Sequence, residues 1–131
     1  MIADALSILG GAPAASPAEI VAVGGTASNL LKVVPDPLVD QVLTREWIAQ
    51  AMAILGSETA EASAERHLIK PARAHILPAG AAIMDALLIR YGVTSIRVSE
   101  AGVREGAILV VDHVGVAWRD RLPELAHGWR T

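Results

Sequence analysis

The sequence predicts an α/β fold with a small parallel sheet of roughly two or three short strands, and three observations lead to it. Two segments, Glu19–Val23 and Ser95–Ser99, have the composition of strands. They alternate with segments in which apolar residues recur at helical spacing, which is typical of a parallel sheet. Hydrophobic residues make up 53% of the 131 residues and none is Phe, so the core must be aliphatic.

The first elements are a helix, a strand and a second helix. Residues Ile2–Leu9 place their apolar side chains on one face of a helix. The apolar run in Glu19–Val23 does not alternate with polar residues, which predicts a strand buried on both faces. Thr26–Val33 then predicts a helix with Leu30 and Leu31 facing inward.

The middle of the chain predicts an edge strand followed by a helix. Leu38–Leu43 alternates imperfectly and indicates the strand. Thr44 is a good N-cap for a helix that runs to Leu55, because its hydroxyl can accept a backbone N–H. Trp47 falls among the apolar positions of that helix, which favours core packing over an aromatic binding site. Ser57–Glu65 indicates polar helical turns exposed to solvent.

The longest helical segment is Pro71–Tyr91, and it is apolar on nearly every side. We expect it to be buried between other elements. Pro78 lacks a backbone N–H and should kink the segment or split it in two. Gly92 is the expected C-cap, and a last helix is predicted over Gly102–Val111.

The predicted sheet is too small for the helices around it. The α/β pattern covers residues 1–111, and the pattern is lost in a predicted C-terminal tail, residues 112–131. Sheets usually hold about four to six strands, so two or three short ones cannot cover helices this apolar. Val21 and Val23 would lie on an edge that proteins normally hide. We therefore expect that the strands of this chain form only part of a sheet.

Composition excludes several classes of function. The net charge is −3, and the 11 basic residues are scattered without interleaved aromatic residues, which argues against nucleic-acid binding. The chain has no cysteine, which fits a reducing compartment and excludes thiolate metal sites. Asp4 stands where a signal peptide favours basic residues, so we expect a cytoplasmic protein. His75, Pro78 and Asp85 interrupt the most apolar segment, so no membrane span is expected.

A glycine pair follows the first predicted strand directly. Gly24 and Gly25 carry no Cβ, so a ligand can approach the backbone closely. Thr26 begins the next helix, whose free N–H groups and positive dipole end suit a phosphate. The sequence is neither the dinucleotide fingerprint nor the P-loop, since no Lys follows at the required spacing. A tight strand-to-helix turn that binds nothing is the alternative interpretation.

Four blocks of sequence, in the same order, resemble the exopolyphosphatase / guanosine pentaphosphatase (Ppx/GppA) family. The first is similar to the second glycine-rich loop of the family, and the last is similar to its "I-R-V-S-x-x-G-L-R-E-G" motif. Together they extend the resemblance over roughly residues 1–111. The four blocks are Val21–Ala27, Val42–Glu46, Pro71–Ala81 and Ser95–Gly106.

The resemblance implies part of an actin-like, ribonuclease-H-like domain, namely the latter half of the second domain of such enzymes. Family members remove terminal phosphate from polyphosphate or guanosine pentaphosphate with a divalent metal, which implies Mg²⁺ for a complete enzyme. The chain contains no Asp-x-Gly-Ser loop, so the resemblance implies no catalytic residue and no metal ligand here. Ala72 and His75 also depart from the family, which tends to have Glu and Asp at these positions.

Five residues are the predicted phosphate-binding positions: Gly24, Gly25, Thr26, Arg73 and Arg104. Either arginine could fork onto phosphate oxygens. Arg73 could instead pair with an acid of a neighbouring helix, and Arg104 could brace the last helix together with Glu105. The four histidines do not fall at metal-ligand spacing, and His75 is interpreted as a core or cleft-wall residue.

Two functions of different classes follow from these observations. The first is a piece of an exopolyphosphatase-type phosphohydrolase, with polyphosphate or a guanosine nucleotide as its ligand and little activity alone. The second is a non-catalytic interaction module whose sheet edge takes a strand from a second copy or from a partner that supplies the missing strands. A small autonomous phosphate-binding domain is a third possibility.

Overall fold

The computed structural model describes residues 16–34 and 41–121. The chain divides into two compact units, Met1–Glu100 and Ala101–Thr131, and each is described by itself. The end of the α/β domain predicted from the sequence, residue 111, falls within the second unit, and this boundary stays a prediction. The predicted helix Ile2–Leu9, the first residues of the predicted edge strand and the end of the predicted tail lie outside the described residues.

Three strands form one mixed sheet in the first unit: β1 (Ile20–Val23), β2 (Val42–Thr44) and β3 (Ser95–Ser99), in the order β1-β3-β2. β1 pairs with β3 in parallel, as predicted. β2 pairs with β3 antiparallel, so the prediction of a wholly parallel sheet is wrong. Strand direction is set by the connections between strands, and a three-residue strand such as β2 carries no pattern that reveals it.

The helices follow the predicted order closely. Pro71–Tyr91 is split as expected, but the break falls at His75 and Ile76, and Pro78 lies in the first turn of the second piece, where its missing N–H costs nothing. The last helix continues past the predicted end. The helices are α1 (Gly25–Val33), α2 (Arg45–Ser57), α3 (Ala60–Arg66), α4 (Pro71–Ala74), α5 (Leu77–Tyr91) and, in the second unit, α6 (Val103–Val114) with a 3₁₀ turn at Gly115–Arg119.

Local capping chemistry fixes several helix ends. The Thr44 hydroxyl accepts the backbone N–H of Trp47 at 3.2 Å, as predicted for the N-cap of α2. Thr59 does the same for α3 through Ala62, also at 3.2 Å. Gly92 ends α5 in the left-handed region, with φ of 66°. At the end of α3 the left-handed position falls on Leu68 instead, with φ of 52° and a side chain left 85% exposed.

The two faces of the sheet have different surroundings. Helices of the first unit cover the face that carries Leu43, Ile96 and Val98, which are all buried. On the opposite face of β1, Val21 is 43% exposed and Val23 is 55% exposed. The prediction that β1 is buried on both faces is therefore wrong. The apolar residues of β1 would allow elements to pack on both faces of the strand, and the described residues pack on one face only.

The core lies between this face of the sheet and helices α1, α2 and α5. Leu30, Ile48 and Leu88 are among its largest fully buried side chains, and Trp47 packs against it half-buried. The helix α5 does not lie between other elements as predicted, because Ile83 and Ile89 are exposed. Apolar residues lie on every side of α5, but only one stripe of them is buried. The apolar composition therefore predicted more burial than is found.

Within the described residues, Pro71–Tyr91 is the one helical stretch that passes a length-and-composition test for crossing a membrane. Its mean hydropathy is 1.4 over the most apolar window, of which 22% is buried. The expectation that His75, Pro78 and Asp85 prevent a membrane span stays a prediction, because this test considers only length and composition. Core helices of soluble proteins pass the same test, and Asp85 in this stretch pairs with Arg45 of α2 at 2.7 Å.

Candidate functional site

The glycine loop joins β1 directly to α1. Gly24 is the N-cap of α1 and has φ of 109° and ψ of 177°, a conformation that is nearly restricted to glycine. No side chain caps this end of the helix, and the first turn contains no acidic residue. The first N–H groups of a helix have no acceptor within the helix. This helix start therefore presents donors without a side-chain acceptor.

Arg73 lies beside this loop. Its guanidinium carbon is 4.0 Å from the point where a Cβ on Gly25 would stand. The side chain is exposed, and within the described residues it forms no hydrogen bond or ion pair. The structure thus brings three of the predicted phosphate-binding positions, Gly24, Gly25 and Arg73, to one place on the first unit.

Thr26 points its methyl group at α5. A Cβ on Gly80 would overlap the Cγ2 of Thr26, so the two helices approach at a point where only glycine fits. Thr26 is half-buried by this contact. In the sequence, Gly80 was noted only as part of a block that resembles the Ppx/GppA family. The signal that could have singled it out is the run of small residues from Ala79 to Ala82 at the start of an apolar helix.

Arg104 belongs to the second unit, in the first turn of α6. Its neighbour Glu105 accepts the backbone N–H of Gly102 at 2.8 Å. Hydrogen bonds from the backbone N–H of Glu105 and of Gly102 hold the pKa of the Glu105 carboxyl below its usual range, and the charge of Arg104 adds to this. Glu105 therefore caps α6, which matches the alternative interpretation given for this residue pair.

A buried polar cluster between α2 and α3 was not predicted from the sequence. The Glu58 side chain is 7% exposed and accepts the hydroxyl of buried Ser63 at 2.8 Å. His67 Nε2 lies 3.2 Å from the same carboxylate oxygen, and Arg66 Nη1 lies 3.0 Å from the other one, without hydrogen-bond geometry. The Ser63 hydrogen bond lowers the pKa of Glu58 most. The polar turns predicted to be solvated are thus partly buried.

Two further ion pairs lie on the surface of the first unit. His75 is exposed and lies 3.4 Å from Glu61, so its interpretation as a core residue is wrong, whereas the cleft-wall interpretation stays a prediction. Glu19 and Arg97 form a bidentate pair on the open face of the sheet, at 2.7 and 2.6 Å. Within the described residues, no group of three or more His, Asp or Glu side chains could hold a metal ion.

A separate groove of about 670 Å³ lies between β2, the start of α2 and the end of α5. Its lining includes Thr44, Arg45 and Leu88, and none of the predicted phosphate-binding residues. Arg45 is already paired with Asp85 there. We therefore place the candidate site at the glycine loop, where a helix start without a side-chain cap lies beside an arginine that has no hydrogen bond or ion pair among the described residues.

Comparison with solved structures supports the fold prediction. The chain is similar to the crystal structure of the Ppx/GppA phosphatase of Aquifex aeolicus, a type II variant, with a TM-score of 0.66 and 23% identity. The match covers 82% of this chain and 37% of that one. No family model matches the chain, and no curated protein matches it.

The comparison therefore shows an α/β fold similar to part of that phosphatase, as the sequence resemblance implied. In particular, the chain has the fold of a part of a Ppx/GppA phosphatase, of which it spans 37%. The small mixed sheet with one covered face is consistent with a piece of a larger layered domain.

Proposed function

We propose that this chain forms one phosphate-binding wall of a Ppx/GppA-type phosphohydrolase. The single observation that carries the proposal is the position of Arg73, whose guanidinium lies beside Gly25 at the start of α1. The fold of part of such a phosphatase supports it. The ligand would be the terminal phosphate of polyphosphate or of a guanosine nucleotide.

Three physical effects would act on such a phosphate. The N–H groups at the start of α1 would donate to its oxygens, and the positive end of the helix dipole would favour its charge. The absence of a Cβ on Gly24 and Gly25 would let the oxygens reach the backbone. The Arg73 guanidinium would donate two parallel hydrogen bonds to neighbouring oxygens, which is its usual geometry with phosphate.

The proposal assigns no chemical step to this chain alone. Hydrolysis in the family implied by the resemblance uses Mg²⁺ and a carboxylate. The described residues bring together no cluster of acids or histidines that fits such an ion. We propose that other protein segments supply these groups, and that the chain contributes phosphate binding and positioning, which are major parts of phosphoryl-transfer catalysis.

Titration with inorganic pyrophosphate by calorimetry tests the binding step. We expect the chain to bind it and Arg73→Ala to weaken binding by about tenfold or more, the usual effect of losing a charge-assisted hydrogen bond. Arg73→Lys should fall between the two, because it keeps the charge and loses the fork. Arg45→Ala is the matched control, since it removes one positive charge at Asp85. Equal losses in both alanine variants would contradict the proposal.

A turnover assay tests the claim that the chain is one part of the enzyme. Phosphate release from polyphosphate is measured with the chain and Mg²⁺. We expect no release above the rate without protein. Robust turnover would contradict the proposal, because it would place a complete catalytic site within these residues.

A second candidate function is association through the open side of the sheet. Val21 and Val23 present an exposed apolar surface at an edge strand, and within the described residues β1 pairs only with β3. We propose that a second copy or a partner covers this surface, by adding a strand or by packing a face against it.

Gel filtration with light scattering tests this second candidate. Val23→Lys places a charge on the open face of β1 and should shift an assembled chain toward the monomer. Val103→Lys, at an 89% exposed position in the second unit, is the control. A monomer at all concentrations, with fast-exchanging amides in Ile20–Val23, would leave the edge open and contradict the candidate.

A further inference from the structure

We propose that Gly80 is a positioning residue for the glycine loop, because its contact with the Thr26 methyl sets the distance between the loop and Arg73. This inference rests on the proposed phosphate-binding function. Gly80 lies on α5 and is not one of the residues proposed to bind phosphate. Its proposed role is to set the position of those residues.

The contact is between the first turns of two helices. Thr26 is the second residue of α1, and Gly80 is the fourth residue of α5. A Cβ on Gly80 would overlap Thr26 Cγ2, whereas it would lie 3.6 Å from Thr26 Cβ and 3.9 Å from Thr26 Oγ1. The conflict is thus confined to one methyl group, because the other two distances are ordinary van der Waals contacts.

Two changes could relieve this overlap. Thr is branched at Cβ, and in a helix its χ1 angle is divided between two preferred values. A rotation that leaves only the Cβ hydrogen facing position 80 removes the overlap, whereas a rotation that places the hydroxyl there does not. Where χ1 keeps the methyl or the hydroxyl toward position 80, an alanine at that position must move one helix relative to the other.

That movement would act on the candidate site from both sides. Thr26 follows Gly24 and Gly25 directly, so moving α1 moves the loop. Arg73 lies on α4, which is separated from α5 only by His75 and Ile76, and Gly80 N–H donates to the carbonyl of Ile76 at 3.1 Å. Moving α5 therefore moves the anchor of Arg73. On this inference, the Arg73 guanidinium carbon stays 4.0 Å from the point where a Cβ on Gly25 would stand only while the Gly80 contact is kept.

A double-mutant cycle tests the inference on the full chain, with inorganic pyrophosphate as the probe. Gly80→Ala should weaken pyrophosphate binding by about tenfold, the loss expected when Arg73 and the loop no longer reach the same anion. Thr26→Ser removes only the methyl group and keeps the backbone N–H and the hydroxyl, so it supplies the second single-variant reference for the cycle. In the double variant, the added methyl at position 80 fills the space left at position 26, so binding should return to within about threefold of the parent.

Gly56→Ala is the matched control, because Gly56 also lies in a helix of the first unit and has open space where a Cβ would stand. It should leave pyrophosphate binding unchanged. Gly80→Ala binding as tightly as this control would overturn the inference. So would a double variant that binds as weakly as Gly80→Ala, because the contact with Thr26 would then not be the cause.

A second readout separates this inference from the proposed function. The backbone amide resonances of Gly24 and Gly25 are recorded without any ligand. They should shift in Gly80→Ala, return in the double variant and stay in place in Gly56→Ala. If the parent chain fails to bind pyrophosphate but the resonances behave in this way, the proposed function fails and the positioning contact stands. Unshifted resonances in Gly80→Ala would overturn the contact itself.

Discussion

The helices α1 and α2 both begin directly after a strand, yet their first turns are built in opposite ways. At the start of α2, the Thr44 hydroxyl accepts a backbone N–H, and Glu46 adds a negative charge to the first turn. At the start of α1, Gly24 offers no side-chain acceptor, and no acid is present. One helix start is capped by a side chain, and the other has no side-chain cap among the described residues.

The second unit contains an informative intermediate case. The helix α6 also has a glycine N-cap, Gly102, but Glu105 three residues later accepts its N–H. The corresponding position in α1 is Ala27, which is buried. A glycine at a helix start is thus compatible with a closed end, and the open end of α1 results from the residues around Gly24 as well.

The largest effect is expected from Gly24→Ala. The open end requires a backbone conformation at φ of 109° that other residues rarely adopt, so we expect a loss of about 2 kcal/mol in the free energy of unfolding. There is open space where the Cβ would stand, so the cost is backbone strain and not a clash. Urea unfolding measures it. Gly56→Ala should be neutral or stabilising. A similar result for Gly24→Ala would contradict the claim that the start of α1 requires glycine at position 24.

The closed end of α2 should depend on one hydroxyl. Thr44→Ala removes the acceptor for the Trp47 N–H, and we expect the free energy of unfolding to fall by about 1 kcal/mol. Thr44→Ser keeps the acceptor and serves as the control in the same urea experiment. If Thr44→Ala and Thr44→Ser were equally stable, the hydroxyl would not close this end.

The smallest effect concerns pH at the start of α6. The pKa of Glu105 is lowered from 4.5 in the folded chain by hydrogen bonds from the backbone N–H of Glu105 and of Gly102. A lowered folded pKa means that the stabilisation is present above the unfolded value and is lost as pH falls through the folded one. The Gly102 amide resonance should therefore move only below pH 4.5, as the Glu105 carboxyl takes up its proton.

Two controls define that pH experiment. Glu105→Gln keeps an acceptor oxygen without an ionisable group, so the Gly102 amide should no longer titrate. The Gly25 amide, at a helix start without an acid in its first turn, should not follow the same titration. A Gly102 amide that titrates unchanged in Glu105→Gln would show that another group is responsible.

Features set by neighbouring residues could be predicted from the sequence. Thr44 as an N-cap and Gly92 as a left-handed C-cap depend on short-range chemistry, and both are found. Burial depends on what covers an element, which is why β1 and α5 were predicted to be more buried than they are. The apolar sequence of each indicates a potential for contact, and the described residues supply only part of that contact.

The candidate site was predictable in its parts but not in its assembly. The glycine loop and Arg73 were singled out separately, and their contact depends on how α1 packs against the start of α5. That packing is decided by Gly80 and Thr26, which are far apart in the chain. The buried Glu58 cluster was missed because polar residues at helical spacing usually indicate a solvated face.

The C-terminal end of α3 is a place where a substitution could make the chain more stable to heat. Leu68 occupies a left-handed position that costs a side-chain-bearing residue about 1–2 kcal/mol, and its exposed side chain returns little of this through packing. Domains of this size unfold at a net cost of only about 5–15 kcal/mol, so this penalty is a sizeable share of the margin. Glycine at this position would recover most of it and raise the melting temperature.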